Sequence, residues 1–210
     1  MEKKDRIRSL DALRGLCILL MVAYHFAFDL TLYALAPVQL LNNPLMQFLQ
    51  PLFAGTFILI SGISSHFSRS NVKRGVKTLA AALLISAVTY LFGEFVRFGI
   101  LHFLGCAMIV YGLGYKVFDR MPERFAPLLY LPLFLLLRAL LDRRFDTPFL
   151  WMFGIMDKGF SSADYYPIFP WIFIFLLGAS LGKAVLERRL PEKVYTFDVP
   201  ALSAVGRHSL

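Results

Sequence analysis

Charge is scarce in this 210-residue chain: 17% of the residues are Asp, Glu, Lys or Arg, against 58% hydrophobic. That balance excludes an ordinary soluble domain, in which about a quarter of the residues are charged. There are two cysteines, Cys17 and Cys106, each inside an apolar run and without CxxC spacing. A disulfide framework and a zinc ribbon are therefore excluded, and both thiols are expected to be small packing groups. The chain contains no P-loop, no GxGxxG and no set of zinc-ligand spacing, so no metal is expected. It also lacks internal repeats and paired broken helices, the usual marks of a secondary transporter.

What the chain does have is apolar length, with a mean hydropathy of +0.62. The expected architecture is all-α: a polytopic transmembrane helix bundle forming one membrane-embedded domain over 1–210. About six spans are expected, near 10–34, 44–67, 75–95, 99–117, 125–141 and 168–186. Pro127 and Pro132 make the fifth the least regular. The net charge of +8 sits in short basic clusters between these runs, not in a stripe interleaved with stacking aromatics, so nucleic acid is not an expected partner. Lys3, Lys4, Arg6 and Arg8, then Arg69, Lys73, Arg74 and Lys77, then Lys116, Arg120 and Arg124, then Lys183, Arg188, Arg189 and Lys193 fall on one side. By the positive-inside rule this places both termini in the cytoplasm, with the protein integral to the cell membrane. The basic N-terminus followed by an apolar run resembles a secretory leader. Because His25 and Asp29 interrupt the run, a retained first span is expected.

Arg14 and His25 lie in that span. An eleven-residue step returns to within about 20° of the same helix face and rises about 16 Å, half the hydrocarbon thickness. Asp11 and Asp29 fall near the same stripe. Ionisable groups at that depth are expected to face a protein interior or a water-filled cavity. An imidazole there suits general acid–base work, and Asp29 at i+4 is placed to fix its tautomer, while Arg14 is placed to bind phosphate or pair with Asp11. The same stripe would also serve a proton-coupled small transporter, or simple helix packing in a non-catalytic scaffold.

Other candidates lie at the span ends. His102, Glu94 and Arg97 form a polar group near one membrane boundary, suited to binding an acceptor or to salt pairing. Lys73 and Arg74 suit either anionic lipid or a ligand phosphate. The segment 142–171 is rich in aromatics, including Phe149, Trp151, Phe160, Tyr165 and Trp171, and reads as an interfacial belt or as the stacking rim of an acceptor site.

The stretch RSLDALRGLCILLMVAYHFAFDL, with Arg14 and His25, resembles the Arg-x10-His pattern of acyltransferase family 3. Phe57 to Gly62, FILISG, looks like that superfamily's second-span signature. FGILHFLG at 98–105, DYYP at 164–167 with Pro170-Trp171, and GRHSL at 206–210 resemble bacterial relatives of the heparan-alpha-glucosaminide N-acetyltransferase catalytic domain. The resemblance implies a membrane acyltransferase moving an acyl group, acetyl by this likeness, from cytoplasmic acyl-CoA to a glycan or similar acceptor. His25 becomes the catalytic base or acyl carrier, with Arg14 as its motif partner and Asp29 beside it. Arg14, Lys73 and Arg74 become cofactor-binding, and His102, Glu94, Arg97 and Trp151 acceptor-binding. It also implies a further span after GRHSL, bearing another histidine, which this sequence does not contain. The oligomeric state is left open.

Overall fold

The computed structural model describes residues 7–93, 95–142, 147 and 149–207. The described residues form eight α-helices and no extended strand: α1 (Arg8–Leu32), α2 (Pro44–His66), α3 (Asn71–Leu91), α4 (Ile100–Phe118), α5 (Ala126–Leu141), α6 (Ile168–Leu186), α7 (Lys193–Thr196) and α8 (Pro200–Arg207). Five of them, α1, α2, α3, α4 and α6, are long and apolar enough to cross a membrane. The fifth expected span is α5, whose 16 residues rise about 24 Å, short of a 30 Å hydrocarbon core. Pro127 sits in its first turn, where a missing N–H leaves no bond unmade, and Pro132 lies inside the helix. Helix α3 begins earlier than hydropathy suggests. Ser70 caps it by accepting from the Lys73 N–H at 3.4 Å, so the basic first turn is already helical. It ends just before Gly93, whose φ of 83° no ordinary residue adopts easily.

The chain clusters into two compact units, 1–60 with 188–210, and 61–187. In the first, α8 lies across the opening turns of α1. A Cβ on Gly15 would strike the carbonyl of Leu202, and one on Gly206 would strike the carbonyl of Asp11. Two glycines thus let the backbones touch. Polar ties fix the register. The Ser203 hydroxyl lies 2.5 Å from Asp198 Oδ1 and 3.2 Å from the Arg8 carbonyl. Arg8 pairs with Asp198 at 3.4 Å, and the Ser9 hydroxyl donates to the carbonyl of Val194 in α7.

In the second unit, α3 and α4 form a close pair because Gly75 faces the Gly105 carbonyl, where an added Cβ would come within 2.7 Å. Helix α6 is the most buried element, with Phe175 fully enclosed alongside Phe103, Leu104 and Met108 of α4. Gly62, in the Ser-Gly pair, lies against the Phe175 carbonyl. Aromatic contacts join α5 to α6: Tyr130 stacks on Phe173 at 6.3 Å, and Phe134 meets Trp171 edge-on at 5.3 Å.

Candidate active site

The polar stripe of α1 divides into two environments. Asp11 and Arg14 are 5% and 6% exposed, and Arg14 Nη1 donates to Asp11 Oδ1 at 3.2 Å. His25 and Asp29, farther along, are exposed. The enclosed setting expected for the whole stripe is thus found only for its first half. Length explains the difference: α8 has eight residues, about 12 Å of helix, and covers only the opening turns.

At His25, Nδ1 lies 2.8 Å from the carbonyl oxygen of Met21. A carbonyl only accepts, so Nδ1 carries the hydrogen, and in the neutral ring Nε2 keeps its lone pair. The ring meets Tyr24 edge-on at 6.0 Å. The orienting contact expected from Asp29 is therefore made by the backbone one turn earlier, which needs no second ionised group. Arg14 does not reach His25: eleven residues of helix separate them by about 16 Å. Of its two expected duties, pairing with Asp11 is the one observed.

The second unit gathers the other candidates where α4 begins. FGILHFLG and DYYP, far apart in sequence, are joined there. Phe98 and Tyr165 form a parallel β-bridge, with the Tyr166 N–H on the Phe98 carbonyl at 2.9 Å. Gly99, the N-cap of α4, has no side chain to accept from the first helical N–H groups. Asp164 supplies the acceptor instead, its Oδ2 taking the Ile100 N–H at 2.9 Å. Arg97 donates its backbone N–H to Ser162 at 3.0 Å, and its guanidinium lies over Phe160 at 5.5 Å and Phe95 at 5.7 Å. Trp151 stacks on Phe160 at 6.1 Å and meets Phe98 at 6.0 Å. The Tyr165 hydroxyl donates to the Trp151 carbonyl at 2.6 Å. Burial pushes this phenol up to about 12, so it stays a donor. Glu94 lies outside the described residues, so its pairing with Arg97 does too.

His102 is buried, at 5% exposure. Its Nδ1 accepts from the Gly99 N–H at 3.3 Å, so Nε2 carries the hydrogen and faces the Ser86 hydroxyl at 3.2 Å. Both nitrogens are engaged within the fold, which suits bracing better than acceptor binding. At the opposite end, Lys73 is exposed and Arg74 half-buried on the first turn of α3. Nothing in the sequence singles out Ser86, and it marks Asp164 only as part of DYYP, not as the cap of α4. A helix opening on Gly with no Ser, Thr, Asp or Asn beside it was the available hint that an acceptor must come from elsewhere.

Among the described residues, five helices long and apolar enough to cross a membrane define a polytopic helical membrane protein. The chain belongs to the heparan-alpha-glucosaminide N-acetyltransferase, catalytic, family, whose model matches residues 6–210. Comparison with curated proteins and with solved structures gave no match.

Proposed function

We propose that the protein is an integral-membrane acyltransferase that moves an acetyl group from acetyl-CoA to a glycan-type acceptor, with His25 handling the proton. Family membership supports the reaction class and a donor of the acetyl-CoA type. The observation that carries the role of His25 is its Nδ1 contact with the Met21 carbonyl at 2.8 Å, which leaves Nε2 ready to accept. An acceptor amine or hydroxyl attacks the thioester carbonyl carbon. The new C–N or C–O bond forms, the C–S bond breaks, and the nucleophile's proton passes to Nε2 and then to the CoA thiolate. In the alternative route Nε2 attacks the thioester carbon as the C–S bond breaks and CoA thiolate leaves; the acceptor then displaces the imidazole, breaking the C–Nε2 bond, and its proton goes to the thiolate.

The donor approaches from the cytoplasm, the side on which the basic residues place the N-terminus. Lys73 and Arg74 take its phosphates, while Arg14, buried on Asp11, steadies the start of α1. Arg97 and Trp151 belong to the acceptor side. The membrane is the cell membrane.

The test is thiol release from acetyl-CoA by purified protein in detergent, with a glucosaminide offered as acceptor. His25→Ala is expected to lower transfer by about 10²–10⁴-fold while leaving the unfolding midpoint unchanged. Undiminished transfer in that variant removes His25 from the mechanism. Radiolabel retained on the protein when acetyl-CoA is supplied without acceptor selects the acyl-carrier route.

A further inference from the structure

We infer that His102 is a positioning residue whose neutral imidazole clamps the segment 95–99 onto α3, and that protonating this ring breaks its hold on the Gly99 end of the segment, loosening the aromatic cluster that rests there. The clamp is a directed relay. The Gly99 N–H donates to Nδ1 at 3.3 Å, Nε2–H donates to Ser86 Oγ at 3.2 Å, and the Ser86 hydroxyl donates to the Val96 carbonyl at 2.5 Å. Val96 is held from its other side as well, its N–H lying 3.4 Å from Thr89 Oγ1. Nε2–H and the Ser86 hydroxyl can donate whether or not the ring is charged, but the Gly99 link requires a lone pair on Nδ1. A second proton on the ring turns Nδ1 into a donor facing the Gly99 N–H. That buried amide then has no acceptor.

The consequence reaches beyond Gly99 because the segment carries its neighbours. Phe98 lies 5.6 Å from the His102 ring, pairs with Tyr165 and touches Trp151. Arg97 lies over Phe160. The groups around His102 are limited among the described residues. Helix α3 offers Ser86 and Thr89, which do not ionise. The segment itself offers Arg97, and the stretch before α6 offers Asp164, whose Oδ2 already accepts from the Ile100 N–H, and Tyr165, whose phenol is held by the Trp151 carbonyl. Helix α6 carries no charged residue before Lys183. The clamp lies wholly within the second unit, so it stands whether or not His25 is the base.

Hydrogen exchange followed by mass spectrometry, corrected for intrinsic rates, tests this on the detergent-solubilised full chain at about pH 7.5 and about pH 5, either side of the imidazole range. In the unmutated protein, exchange at 96–99 should quicken about ten-fold on acidification, the loss expected for one buried hydrogen bond. His102→Gln keeps an acceptor and a donor but cannot titrate, and should stay protected at both values. His102→Leu should exchange fast at both, and Asp164→Asn should keep the response to acid. Protection that does not change with pH in the unmutated protein overturns the inference. So does an acid response that survives in His102→Gln or disappears in Asp164→Asn.

Discussion

Adding one methyl group to Gly206 probes directly how α8 is held on α1. The Cβ of Gly206→Ala would land on the carbonyl of Asp11, and its nearest other neighbours are the Asp11 carbonyl carbon and the Gly15 nitrogen. All three are backbone atoms, so no flexible side chain can swing aside. The helices must separate by roughly 1 Å, which wets a contact that now encloses Asp11 and Arg14 at 5% and 6% exposure. Overpacking of this kind costs about 1–3 kcal/mol. For a chain of this size that corresponds to a midpoint lower by about 2–12 °C, at 2–4 °C per kcal/mol. Gly15→Ala meets the Leu202 carbonyl in the same way and should cost a similar amount. Once one methyl has pushed the helices apart, the second finds the space already open. The double variant should therefore lose much less than the two single losses combined. The assay is thermal unfolding in detergent, paired with limited proteolysis of the C-terminal segment to register detachment of α8 alone. Single variants indistinguishable from the parent in both readouts, or a double variant whose losses add fully, would refute the close backbone contact.

Two further predictions concern the end of the second unit where α4 begins. Asp164→Ala removes the acceptor of the Ile100 N–H and should lower stability by about 0.5–2 kcal/mol, read as a lower unfolding midpoint, while Asp164→Asn should recover most of that loss. The Tyr165 phenol, pushed up to about 12 by burial, stays neutral when folded but ionises near pH 10 when unfolded. Its stabilising contribution is complete below about pH 10 and disappears as pH rises toward 12. Tyr165→Phe should flatten that alkaline limb of the stability profile, measured by unfolding between those values. An unchanged limb would assign it to other groups.

Much of the fold was legible because a bilayer imposes length and hydropathy on any helix that crosses it. The spans expected from hydropathy agree with α1, α2, α4 and α6 within a few residues, while α3 lies earlier at both ends, because its basic first turn lowers hydropathy and its last turn stops before Gly93. Site geometry was less accessible. Helical periodicity put Asp11, Arg14, His25 and Asp29 on one stripe, but it could not tell that α8 is long enough to cover only the first two. Nor could it favour the Met21 carbonyl over the Asp29 carboxylate as the partner of His25, because backbone acceptors leave no mark in a residue pattern. FGILHFLG and DYYP both stand out in the sequence, while nothing local to either announces that Asp164 caps the helix that FGILHFLG begins.

The sequence by itself determined the solvent this protein is built for, the helices that solvent demands, and the residue types suited to general acid–base work. These follow from composition and from periodicity along a single helix, which are local properties. Tertiary structure alone decided which groups are buried, which ring nitrogen of His25 and of His102 carries the hydrogen, and which distant segments meet beside α4. Those outcomes depend on hydrogen-bond partners brought close by packing, and packing is a relation between segments that no single stretch of the chain contains.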